Sequence, residues 1–177
     1  LGDVYKRQIQ RLTDIMMAFP TILLVITFVT LTKPGITNLF LAIGLVNWPG
    51  IVRLVRAEVL SLREREYVEA ARCTGVPDSL ILARHIVPNL ASLLIVTATY
   101  GVADAILTET GLSFLGLGVP PPTPTWGGMI RDATSMTILE QMPWLWLSPG
   151  IVIAVCVLAV NFVGDGLRAA LDPRQLR

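Results

Sequence analysis

From Trp144 to Val163 the chain runs twenty residues without one charged side chain. A helix needs about twenty apolar residues to cross the ~30 Å hydrocarbon core of a bilayer. Eleven of the twenty are Leu, Ile, Val or Phe. At roughly −0.3 to −0.6 kcal/mol each they favour insertion by about 3–7 kcal/mol, with no charge to oppose it. Composition agrees: 53% of the residues are hydrophobic and only 15% charged, and the charges are clustered rather than spread. An all-α integral membrane protein follows, with four spans expected near residues 15–32, 39–55, 89–107 and 144–163.

The first of these is charge-free from Ile15 to Thr32, with Pro20 near its start, where a proline does least harm to a helix. Lys33-Pro34-Gly35 is a turn signal. The second resumes at Leu39 and is closed by Arg53 and Arg56; Asn47-Trp48-Pro49-Gly50 interrupts it. Polar groups beside a proline inside a membrane face protein or a water-filled cavity. In the third, Leu90–Ala103 carries no charge, and Asp104 and Glu109 mark its far end. Residues 109–143 then form a long Gly- and Pro-rich connection. Its glycine part, Gly111–Gly118, is apolar but too short to span, which suits a re-entrant or interfacial segment. Its proline part, Val119–Thr125, suits an extended one. Trp126, Trp144 and Trp146 are spaced as an interfacial aromatic belt. Asn161 in the last span is either a helix–helix hydrogen bond or a pathway residue.

The polar stretch 64–88 lies between two spans and is helix-forming. Tyr67, Ala70 and Ala71 stand at i, i+3 and i+4, while Glu66, Glu69 and Arg72 supply a charged face. Gly75 sits where a helix C-terminus needs φ > 0, Pro77-Asp78 suits the first turn of a second helix, and Pro88 ends that helix. Outward alanines let another surface approach closely. The same pattern also fits a helix lying on the membrane and binding nothing. Basic residues set the orientation: if this stretch is cytoplasmic, twelve of the fourteen Lys and Arg are inside. These are Lys6, Arg7 and Arg11, the six arginines from Arg53 to Arg84, and Arg168, Arg174 and Arg177; only Lys33 and Arg131 fall outside. Both ends are then cytoplasmic.

Glu69-Ala70-Ala71, three residues, Gly75, and then Pro88 at its fixed distance resemble the cytoplasmic signature of the membrane subunits of ABC importers. His85 stands where that pattern has an apolar residue, and Val87 where it has Leu. The resemblance implies a coupling helix that docks on a separate ATPase, with Tyr67, Glu69, Ala70, Ala71, Gly75 and Pro88 as the docking set. Gly111-Leu112-Ser113-Phe114-Leu115-Gly116-Leu117-Gly118, Pro121–Gly127, Gly164–Arg168 and Leu171–Arg174 further resemble the dipeptide, oligopeptide and nickel branch. In that branch the fold has about six spans. The expected partners are two ATPase subunits, a homologous second permease, an extracytoplasmic substrate-binding protein and membrane lipid. On this resemblance the chain lacks the first two spans and its C-terminus is native. Leu1–Gln8, with no Met, apolar core or cleavage site, is expected to be an assembly scar.

No chemistry of its own is legible. There is no GxxxxGK[ST] loop, and neither Lys6 nor Lys33 follows a glycine-rich loop, so no cofactor is expected in this chain and ATP–Mg belongs to the partner subunits. His85 has no neighbouring nucleophile or second ligand and is read as structural. Cys73 and Cys156 form neither a CxxC motif nor a plausible disulfide, being at different depths. No nucleic acid is expected. Asn47, Trp48, Asp104 and Asn161 are pathway candidates, because polar groups in spans tend to face the bundle interior. A secondary transporter or channel, or a membrane anchor, are the competing classes. The first wants intramembrane charges that these spans scarcely have, and the second has no need of proline-bearing spans.

Overall fold

The computed structural model describes residues 2–171, with side chains from 5 to 170. The Arg174 and Arg177 charges and the Asp172-Pro173-Arg174 motif lie outside the described residues. Among those described there are only helices, turns and irregular segments. In order they are α1 (Gly2–Met17), α2 (Thr21–Leu31), α3 (Ile36–Arg63), α4 (Glu66–Cys73), α5 (Asp78–Ile81), α6 (Val87–Phe114), α7 (Trp126–Asp132), α8 (Met136–Gln141) and α9 (Trp144–Leu171). α1 runs unbroken from Gly2 and so takes in Gly2–Gln8 of the stretch read as a scar.

Among the described residues three helices are long and apolar enough to cross a membrane: α3, the continuous rod Asp78–Phe114, and α9. A fourth crossing exists only if α1 and α2 count together as one bent span. A single helix over 15–32 is not what forms, because the chain turns by 91° between Met17 and Thr21. Pro20 is the cause: it has no N–H to continue α1, it disfavours helical backbone at Phe19, and it is itself extended (φ −58°, ψ 126°). Its carbonyl then accepts from Leu23 and Leu24 to start α2. The eleven residues of α2 reach about 16 Å, half the hydrocarbon thickness.

Two other prolines act differently from expectation. Asn47-Trp48-Pro49-Gly50 does not interrupt the second span; α3 passes straight through it with Pro49 buried. Packed neighbours and local adjustment of the ladder let membrane helices tolerate such a residue. Pro88 does not end a helix either. α5 runs through a π-turn, Leu82–Ile86, into α6, giving 37 helical residues from Asp78 to Phe114. Pro88 has no N–H for the carbonyl four residues back, and its ring would press on it. The π-turn widens the backbone there, with the Val87 N–H bonded to the Leu82 carbonyl five residues away.

Two apolar cores hold the bundle. One joins α2, α3 and the end of α6 through Val25, Val29, Leu39, Ala42, Ile43 and Leu112. The other joins the far end of α3 to α4, α5 and the start of α6 through Leu62, Val68, Ile81, Ile86 and Leu90. α9 packs along α6, where Gly164 is buried and a Cβ would overlap the Thr99 side chain. The remaining faces of the long helices carry exposed apolar side chains such as Leu45, Leu107 and Phe162, the surface a bilayer covers.

Candidate functional site

The second core presents the polar stretch at one end of the bundle. α4 has eight residues, too few to be stable alone, so packing must hold it. Val68 is 0% exposed and Ala71 is partly buried against the same core. Burying a side chain of this size is worth roughly 1.5–3 kcal/mol, which outweighs the helix's weak intrinsic tendency. α4 stops as its glycine requires: Gly75 has φ +81°, its N–H bonds the Arg72 carbonyl, and the Val76 N–H bonds that of Ala71. This paired pattern is a Schellman motif, and the Val76–Ala71 contact that accompanies it lies in the core.

The expected docking residues divide. Glu69, Ala70, Gly75 and Pro88 are exposed, as is Tyr67. Ala71 turns inward beside Val68, so Tyr67, Ala70 and Ala71 do not share one free face. A helix face spans about 100°, and the burial of Val68 decides which side of it turns in. The missed anchor is Val68, and its signal was its position three residues before Ala71. Two contacts orient the outward face. Arg72 pairs with Asp78 at 3.5 Å across the turn, an exposed pair worth at most about 1 kcal/mol. The Tyr67 and His85 rings lie 6.2 Å apart and tilted by 46°, within the range of aromatic pairs, so His85 ties α4 to the π-turn.

The pathway candidates lie on three helices. Asn47 and Trp48 are half-buried on α3, Asp104 is exposed on α6, and Asn161 is half-buried on α9. The Asn161 Oδ1 is buried without a hydrogen-bond partner among the described residues.

At the opposite end the glycine-rich run begins as the last turn of α6. α6 continues to Phe114, and a second Schellman motif closes it: Gly116 has φ +80°, its N–H bonds the Ser113 carbonyl, and the Leu117 N–H bonds that of Leu112. The chain then folds back so that α7 seats on α6. A hydrogen-bonded relay crosses this junction. The Gly128 N–H donates to Thr125 Oγ1 (3.0 Å), Thr125 to Ser113 Oγ (3.4 Å), and Ser113 to Glu109 Oε1 (2.6 Å). Gly127 makes the approach feasible, because a Cβ there would lie 2.5 Å from the Thr110 carbonyl oxygen. Gly127→Ala is therefore expected to push α7 off α6 and cost about 1–3 kcal/mol. An unchanged thermal unfolding midpoint in detergent would show that the junction yields freely. Trp126 faces this junction, while Trp144 and Trp146 are exposed at the start of α9.

Comparison with known proteins adds to this geometry. The sequence model of the family described as the inner membrane component of binding-protein-dependent transport systems matches residues 1–177. A putative peptide permease protein of Brucella ovis is 48% identical over 164 residues, 93% of this chain and 54% of the relative. The dipeptide transport system permease protein of Alkalihalophilus pseudofirmus is 46% identical over 166 residues, 94% of this chain and 54% of the relative. A probable peptide ABC transporter permease protein of Sinorhizobium fredii is 48% identical over 169 residues, 96% of this chain and 57% of the relative. The chain thus spans about half the length of these relatives.

Proposed function

Because the chain belongs to the family of inner membrane components of binding-protein-dependent transport systems, we propose that it is part of the membrane-spanning subunit of an ATP-driven importer of small peptides. The observation that carries the proposal is α4. A short polar helix is clamped by Val68 between two long apolar helices, stopped by a left-handed Gly75, and presents Glu69 and Ala70 outward. A helix held this firmly from behind moves with the rods it is packed on, so a force applied at its exposed face reaches α3 and α6.

In this reading two ATPase subunits bind and hydrolyse ATP–Mg, and one of them receives α4. Glu69 pairs with a basic group there, and Ala70 and Gly75 allow close approach. A second, homologous permease completes the central cavity, and an extracytoplasmic binding protein delivers substrate. ATP binding closes the ATPases, α4 moves with them, and the bundle rocks to open outward. The α4 end is cytoplasmic, as the arginine distribution favours, and both ends of the chain lie on that side. The protein sits in the cytoplasmic membrane and is not itself an enzyme. Asn47, Trp48, Asp104 and Asn161 are retained as pathway residues. The relatives' names favour peptide over nickel.

The test is purification of the full-length permease from its own membranes, with co-purifying proteins identified by mass spectrometry. P-loop ATPases and a second permease are expected, and both ATPases should be lost on Gly75→Asp. Gly75 has open space around it, so this variant acts through its φ and its new charge, not through a clash. Recovery of the permease alone from mild detergent would refute the proposal.

A further inference from the structure

Beside the α6–α7 junction is a cavity of about 640 Å³, within the range of small-molecule sites. Its walls come from the first turns of α3 (Ile36, Phe40), from α6 (Ala105, Glu109) and from the start of α7 (Trp126, Met129). Glu109 is the one charged residue in a lining that is otherwise almost wholly apolar. Its Oε1 accepts from Ser113, which is 2% exposed and held by Thr125. The relay thus supplies one donor to a carboxylate able to accept about four hydrogen bonds, and among the described residues no basic side chain forms an ion pair with it.

The geometry points to this cavity as a binding site for a primary ammonium carried on an apolar body, namely the N-terminal end of a short peptide. An ammonium has three donors for the remaining carboxylate lone pairs, and the Trp126 ring in the same wall suits a cation. The apolar lining takes a leucine-sized side chain. A divalent metal fits poorly, because it wants several oxygen or nitrogen ligands, and no group of three or more His, Cys, Asp or Glu converges among the described residues. A lipid chain would fill the apolar part but leave the carboxylate unmatched. The assignment of a peptide, as opposed to another amphiphilic amine, rests on the importer reading above.

The site and the importer reading fail separately in one pair of measurements. Binding of radiolabelled leucyl-leucine is measured on the full-length permease assembled with its partner subunits in nanodiscs, without the binding protein, and ATP-driven uptake of the same dipeptide is measured in proteoliposomes with it. N-acetyl-leucyl-leucine and Glu109→Gln are each expected to weaken binding at least tenfold. The glutamine keeps an oxygen for Ser113, so the junction survives while the charge is lost. Ala105→Trp, which sets an indole into the cavity one helical turn from Glu109, should weaken binding at least tenfold. Equal binding of the acetylated peptide, unchanged binding in Glu109→Gln, or no binding to the wild-type complex would each overturn the site, even if uptake proceeds. Binding with the expected losses but no ATP-driven uptake would uphold the site and reject the importer reading.

Discussion

Glu69→Arg is expected to lower ATP-driven uptake at least tenfold while leaving the amount of permease in the membrane unchanged. Glu69 is exposed on α4 and its side chain makes no hydrogen bond or ion pair among the described residues, so reversing it removes nothing that holds the fold. Surface substitutions of this kind usually change stability by no more than about 0.5 kcal/mol. Against a basic docking partner the reversal acts much more strongly, because like charges brought together at an interface cost several kcal/mol. Tenfold corresponds to about 1.4 kcal/mol, well within that. Uptake and ATPase stimulation, normalised to membrane abundance by immunoblot, check the expectation. Normal uptake would remove Glu69 from the docking set, and loss of the protein from the membrane would assign it a folding role instead.

Val68→Asp has the opposite character. The Val68 side chain is fully buried in an apolar core, so the aspartate is either ionised without a partner or detaches α4 from its core. The first costs several kcal/mol, and an eight-residue helix has no stability of its own to resist the second. Detachment is therefore expected: the amides of 66–76 should exchange at least a hundredfold faster with solvent, while those of 95–110 within α6 change little. Uptake should fall as severely as in Glu69→Arg, but through loss of order instead of loss of a contact. Hydrogen exchange with mass spectrometry separates the two, since Glu69→Arg leaves exchange at 66–76 unaltered. Protection retained in Val68→Asp would mean that α4 is held by something other than this core.

These two neighbours mark how far the sequence could be read. Charge-free runs and the stop at Gly75 were legible, because each rests on a local property. Insertion depends on summed side-chain transfer energies, and a left-handed residue depends on the absence of its own Cβ. So spans were expected over 39–55, 89–107 and 144–163, all of which lie within the longer α3, α6 and α9, and Gly75 has the positive φ that a helix stop there requires.

Other features required the packed chain. Periodicity put Tyr67, Ala70 and Ala71 on one face but could not say which edge of it turns inward; the core of Leu62, Ile81 and Ile86 decides that, and these residues come from three separate elements. Three prolines met outcomes that the sequence did not disclose: Pro20, read as harmless, marks a 91° turn after Met17; Pro49, read as an interruption, is a buried ring within α3; Pro88, read as an end, follows a π-turn into α6. A missing N–H is a local fact, whereas whether the helix bends, widens or absorbs the gap depends on what packs around it. Glu109 looked like the end of a span. Only the return of α7 onto α6, allowed by Gly127, sets its carboxylate in the wall of a cavity. The sequence by itself determined that this chain lives in a membrane as helices and where one of them must stop. Tertiary structure decided which side chains of those helices are free to meet a partner, because burial is a property of neighbours distant along the chain.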